Sequence, residues 1–160
     1  MASDIFAKIA TIKGETTDAK HPNEIDVLAW AWGVSQAGTM AHGSGGGEGK
    51  ANFNDFSFTH KIDKATPLLL KACATGTHFP NATITVRKAG KDKPEYLIIK
   101  MTDVLVTGVS MSVAGDDPTT AENVTLRFGK VDFEYKAQKQ DGSLEPGLHF
   151  LYDLGANKVG

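Results

Sequence analysis

Ile25-Asp-Val-Leu-Ala-Trp-Ala-Trp-Gly-Val-Ser-Gln36 is the stretch on which the fold turns. Side chains of a β-strand alternate between two faces. On that period Leu28, Trp30 and Trp32 share one face, and Val27, Ala29 and Ala31 the other. The chain's only two tryptophans thus lie on one side, where large aromatics anchor a core. The opposite face has neither charge nor bulk, although a solvated strand face ordinarily carries Lys, Glu or Thr. Such a face fits a surface that meets another subunit or one that lines a smooth cavity.

Working outward, period-2 segments bounded by Gly, Pro, Asp and Asn dominate the chain. Strands are expected at 5–12, 25–34, 52–59, 82–88, 96–111, 123–135 and 148–154. In 52–59 the apolar parity changes, which hints at a bulge. The stretch 96–111 is expected to bend near Thr102 or Gly108. The parity slip between Phe128 and Val131, beside Gly129, predicts a bulge or barrel corner. Asp141-Gly142 is a hairpin-type turn signal. One helix is expected over 67–75, with Thr66 as N-cap, Pro67 in the first turn and Gly76 at the left-handed C-terminal position. Residues 13–23 read as a polar loop and 36–50 as a Gly-rich one. Many short strands, one helix and no β-α-β alternation give a mainly β chain, a small barrel or sandwich with a helix packed on it. All 160 residues read as one domain.

Composition narrows the function. A net charge of −2 offers no basic stripe for nucleic acid and no polybasic patch for a membrane. A single cysteine, Cys73, forms no internal disulfide. The first residues lack the charged and apolar regions of a secretory leader. The expected location is the cytoplasm, with export, if any, by a route that needs no signal peptide.

Signals for chemistry fail one by one. His42-Gly-Ser-Gly-Gly-Gly-Glu-Gly-Lys50 resembles a phosphate loop only superficially. Ser44 stands where the first glycine of that motif belongs, and Ala51 where Ser or Thr should follow. A long hairpin loop that adapts to a partner is the better reading. The five histidines are scattered without ligand spacing. Cys73 sits on the apolar stripe of the helix with no neighbouring base. No catalytic residue, metal ligand or cofactor site is therefore assigned, and an enzyme with the Gly-rich loop as lid is the weakest reading. A monomeric β-sandwich that binds a ligand is the alternative to a self-assembling structural subunit.

A further set of segments carries a resemblance. Lys13-Gly-Glu15, Glu24–Gln36, Asp55-Phe-Ser-Phe-Thr59, Asp63-Lys-Ala-Thr-Pro67, Ala72–His78, Ala82–Gly90, Glu95-Tyr-Leu97 and Glu122–Leu126 occur in the order found in the hemolysin-coregulated proteins of bacterial type VI secretion. The likeness runs from about residue 5 to residue 135. Near the C-terminus the chain departs from the family, since Gly147–Asp153 lacks the tryptophan of its Gly-Trp pattern.

The resemblance implies a β-barrel of two sheets with one flanking helix. It implies homohexameric rings that stack into a tube, with a spike protein, a contractile sheath and small effector proteins as partners. The tube would be made in the cytoplasm and secreted without a signal peptide. On that frame Val27, Ala29 and Ala31 are expected to line the lumen and touch cargo. Gly43, Gly45, Gly46, Gly47, Glu48 and Gly49, together with Lys20 and His21 of the 14–23 loop, are expected to touch the next ring.

Overall fold

The computed structural model describes residues 3–36, 51–90, 92–113, 115–116 and 120–160. Its strands are β1 (Ser3–Ile9), β2 (Ile25–Ala31), β3 (Val34–Gln36), β4 (Ala51–Phe53), β5 (Phe56–Lys61), β6 (His78–Lys88), β7 (Glu95–Ser112), β8 (Ala121–Tyr135), β9 (Leu148–Asp153) and β10 (Lys158–Val159). The helix α1 (Thr66–Thr75) joins β5 to β6. The order β8-β5-β2-β1-β6-β7 closes on itself through β7–β8 pairing, so six strands form a barrel. The strand pattern left a barrel or a sandwich open; the structure is the barrel that the resemblance implied, mainly β with one flanking helix.

Two long strands build that closure. β8 pairs with β7 along its length. On its other side it pairs with β5 over Ala121–Leu126 and with β9 over Lys130–Tyr135. The apolar parity slips in both long strands at one level. β7 buries Leu97, Ile99 and Met101, then Val104 and Val106; β8 buries Val124, Leu126 and Phe128, then Val131. The pairs Met101↔Val131 and Val104↔Phe128 keep one register across the slip. The feature at Gly129 is thus a corner taken by both strands together, with Asp103 opposite it at φ 55°. A one-residue bulge does occur in β7, between Val106 and Gly108. Gly108 suits that point, because a Cβ would lie 2.7 Å from Thr125 Oγ1 and force that hydroxyl to shift.

The parity change in 52–59 also resolves. β4 and β5 are separate strands, divided by Asn54 and Asp55. β4 pairs with β3 in a small second sheet, whereas β5 enters the barrel. Phe53 then joins Trp32, Phe150 and Tyr152 in an aromatic cluster that ties this hairpin to β9.

In α1, Pro67 occupies the first turn, where its missing N–H costs nothing. Gly76 ends the helix at φ 65° and satisfies the Ala72 carbonyl. The N-cap differs from expectation. Ala65 holds that position without a side-chain bond, and the Thr66 hydroxyl instead donates to Glu122 Oε2 at 2.6 Å. Leu69 and Ala72 are buried and α1 packs on β7, while Leu68 and Leu70 face solvent.

Glu122 and His60 form a buried polar pair within one row of the sheet. Val27, His60, Glu122 and Met111 lie opposite one another across β2, β5, β8 and β7. His60 and Glu122 are both 0% exposed. His60 Nε2 lies 2.9 Å from Glu122 Oε2, without the alignment of a well-directed hydrogen bond. Breaking a buried pair leaves one group without compensation, and that costs about 3–5 kcal/mol. Glu122→Ala is expected to cost that much in urea unfolding. The double replacement His60→Phe with Glu122→Leu is expected to cost less than the single one.

Candidate assembly surface

The surface grows from an irregularity in β2. Val27 pairs with His60 but Ala29 pairs with Thr59, so one residue, Leu28, is extra. A bulge of this kind transfers every following side chain to the other face. Ile25 and Val27 are buried, and beyond the bulge Trp30 turns inward onto Phe56. Ala29 and Ala31 point outward, and Leu28 is 54% exposed. The expected grouping of Val27 with Ala29 and Ala31 is therefore corrected. Val27 is 7% exposed and packs in the core, on the face that Trp30 shares.

Ala29 and Ala31 begin two rows that cross four strands. The first is Ala29–Thr59–Asn123–Ser110 and the second Ala31–Ser57–Thr125–Gly108. None of these eight side chains is charged, and none is larger than asparagine. Their polar groups bond to one another: Asn123 Oδ1 accepts from Ser57 Oγ at 3.0 Å and from Thr59 Oγ1 at 3.4 Å. Thr107 and Thr125 share a hydroxyl bond of 2.9 Å. Charge appears only at the margins, with Lys61 at one end of β5. At the other end Arg127 Nε donates to Asp55 Oδ1 at 3.2 Å. The face was legible only at Ala29 and Ala31. The other six positions are outward residues of strands that sequence reading located without registering them to one another.

The sheet β2-β5-β8-β7 has open sides. β1 pairs with β2 only at Asp26 and Ile25. β6 pairs with β7 only as far as Leu105. Among the described residues, no strand pairs with the outer edge of β2 beyond Asp26, or with that of β7 beyond Leu105.

The segment 13–24 is a strap across the outer face of β1 and β6. Phe6 points away from the barrel interior yet is 3% exposed, because His21 stacks on it at 4.4 Å. Arg87 lies 4.8 Å over the same ring. It donates from Nη1 to Asp18 Oδ1 at 3.0 Å and from Nε to Asp4 Oδ2 at 3.1 Å. His21 bridges Glu24 at 2.8 Å and Glu95 at 2.6 Å. Expected to project toward a neighbour, His21 is instead 9% exposed and fastens the strap, while Lys20 is exposed. Gly43, Gly45, Gly46, Gly47, Glu48 and Gly49 fall outside the described residues.

A second ionic clamp holds β9. His149 Nδ1 lies 2.8 Å from Asp132 and Nε2 3.1 Å from Glu134. The hydrogen bond to Asp132, with the charges of Asp132 and Glu134, raises the pKa of His149. Its contribution is present at low pH and fades as pH rises through that raised value. Among the described residues, no group of three or more His, Cys, Asp or Glu side chains is disposed to hold a metal ion.

Comparison with known proteins agrees with this geometry. The family model described as "Type VI secretion system effector, Hcp" matches residues 6–135. Protein hcp1 of Pseudomonas aeruginosa is 51% identical over 148 residues, spanning 92% of this chain and 91% of that protein. The crystal structure of Hcp1 from Salmonella typhimurium is 42% identical, covers 100% of both chains and superposes with a TM-score of 0.82. A structure described as a type six secretion system protein reaches a TM-score of 0.92 at 30% identity, covering 99% of this chain and 100% of that one.

The strap makes an acid-sensitive element. The hydrogen bond from Arg87 holds the Asp18 carboxyl far below its ordinary value of 3.8. A depressed carboxylate stabilises the fold above its unfolded pKa and loses that stabilisation as pH falls through the folded one. In urea unfolding across pH, Asp18→Asn is expected to be less stable than the parent at neutral pH. The difference is expected to shrink steadily below about pH 4, near the ordinary aspartate value.

Proposed function

Because the chain belongs to the Hcp family of type VI secretion system proteins, we propose that it is the structural subunit of that system's inner tube. One observation carries the reading: a four-stranded sheet with an uncharged, small-residue face and an open edge on each side.

Unpaired strand edges are templates for pairing. The strands β2, β5, β8 and β7 alternate in direction without exception. The β7 edge of one copy is therefore antiparallel to the β2 edge of the next, and the alternation continues around a ring. A heterologous contact of this kind closes when its rotation divides the circle. The family's hexamer would combine six copies of four strands, about 24 in all. At about 4.8 Å per strand the circumference is about 115 Å and the backbone-to-backbone diameter about 37 Å. A 50-residue protein has a radius of gyration of about 10 Å and so a diameter of about 25 Å, and a folded effector of that size fits within.

The wall of such a ring is the Ala29/Ala31 face. Hydroxyls and amides that already bond to one another offer cargo weak contacts and no unpaired charge. That suits a lumen that must hold a protein and release it. Rings would stack through the 43–49 loop and the strap. The strap's anchoring by Arg87 and His21 supports this, because a pre-ordered loop loses less entropy on binding. Lys20 is the strap residue we assign to the contact. The tube's partners are then a spike protein, a contractile sheath and small effectors, and it leaves the cell with the secretion event.

Light scattering with electron microscopy tests the proposal. Rings of six subunits are the expected result, and a strict monomer at all concentrations and salt conditions would overturn it. Ala31→Gln is expected to leave rings intact and to reduce effector co-purification several-fold. Shortening the 43–49 loop is expected to abolish stacked tubes while sparing single rings.

A further inference from the structure

Beside the open edge of β2 lies a groove of about 490 Å³. It exists because β1 and β2 diverge after only two paired positions. Its walls include Ile5, Val27, Leu28 and Ile62 on the apolar side, with Asp26 and Asp63 among its carboxylates. Leu28 and Ile62 are 54% and 42% exposed. The bulge throws Leu28 out of the barrel, and among the described residues nothing covers it.

The opposite edge carries complementary features. β7 ends in Met111 and Ser112, followed by Val113. Met111 is 47% exposed and Val113 62%. Exposed apolar groups clustered on a strand edge mark an interaction surface.

The register brings these two features to one height. Val27, His60, Glu122 and Met111 form a single row across the sheet. Rotation about a ring axis leaves axial height unchanged. The Met111 of one copy therefore arrives beside the Val27 level of the next, displaced only by the tilt of the strands. We propose that the groove between β1 and β2 receives Met111 and Val113 of the adjacent copy, so that the subunit contact is an apolar plug in a socket as well as a backbone ladder. This rests on the ring reading above and names the residues that make its contact.

The carboxylates of the socket set a condition on the plug. Asp26 stands at its wall, and burial, with the nearby charges of Asp4, Asp18 and Asp63, raises its pKa. Covering a carboxylate with Met and Val opposes association unless the charge is removed. The socket therefore favours an uncharged plug, and its acidic wall disfavours an acidic one.

Cross-linking tests the contact. In a Cys73→Ser background, Leu28→Cys and Met111→Cys are made singly and together, and a short bis-maleimide is added. Mixing the two single variants is expected to give covalent dimers, and the double variant a ladder of oligomers. Leu28→Cys paired with Leu148→Cys serves as the control and is expected to give no ladder. Met111→Asp is expected to weaken ring association at least tenfold in light scattering. Because it also sets a carboxylate opposite Glu122, Val113→Asp, at a 62% exposed position beyond β7, is the variant expected to do the same with the monomer's urea midpoint near that of the parent. Asp26→Asn is expected to leave association equal or tighter. Rings by microscopy without the Leu28–Met111 ladder, or undiminished in Met111→Asp, would overturn the socket and spare the ring. Monomers throughout would overturn both.

Discussion

The single extra residue in β2 governs which side of this protein is core and which is surface. A strand without it would keep Val27, Ala29 and Ala31 on one face and expose both tryptophans or bury both alanines. With Leu28 displaced, Ile25 and Val27 face inward, and so does Trp30, which stacks on Phe56 at 5.6 Å. Trp32, past the end of the strand, packs on Phe128 and Phe133 and donates from Nε1 to the Asn54 carbonyl at 3.0 Å. Large aromatics contribute most of a core's transfer energy. The bulge thus recovers that burial on one side and frees a smooth wall on the other. It also leaves Leu28 on the edge beside the β1–β2 groove.

Charge is distributed to protect that arrangement. The outward face of β2, β5, β8 and β7 is neutral over two full rows, whereas the outward face of β1 and β6 gathers Asp4, Arg87 and the strap carboxylates. The strap lets Phe6 be buried on the outside of a barrel by covering it with His21 and Arg87 rather than with a second apolar layer. Gly14 allows it to lie close: a Cβ there would run into the Glu24 carbonyl. Inside, the buried pair of His60 and Glu122 ties α1 to the barrel through Thr66. Polar contacts fix the orientation of the strap and helix, and apolar contacts hold the barrel.

The strands and the helix were legible because period and punctuation are local properties. Gly76 and Pro67 act within one turn, and the parity slips at Gly129 and in 52–59 mark real departures from a regular strand. What those slips mean is not local. A corner shared by β7 and β8 and a break between two sheets give the same parity signal, and only the pairing partner separates them. The β2 bulge escaped for the same reason. Val27, Leu28 and Ala29 are all small or apolar, so no polar residue marks the change of face. The role of His21 was illegible too, since Phe6, Glu24 and Glu95 meet it only after the strap folds back over β1.

Both open edges of the four-stranded sheet carry a bulge, one between Val27 and Ala29 and the other between Val106 and Gly108. Edges that are flat and regular recruit any strand, which leads to aggregation. A bulge twists and shortens the pairing segment and pins its register. The β2 edge beyond its bulge is only a few residues long, and the β7 edge carries its bulge at Gly108, where any added Cβ would force the Thr125 hydroxyl to shift. Such edges admit a partner whose own irregularity matches. Under the ring proposal a second copy of this chain would supply one, because its rows run at the same heights and its strands continue the same alternation. In the ring proposed above, the two bulges would do opposite work with one device: they disfavour indiscriminate pairing and favour the self-contact.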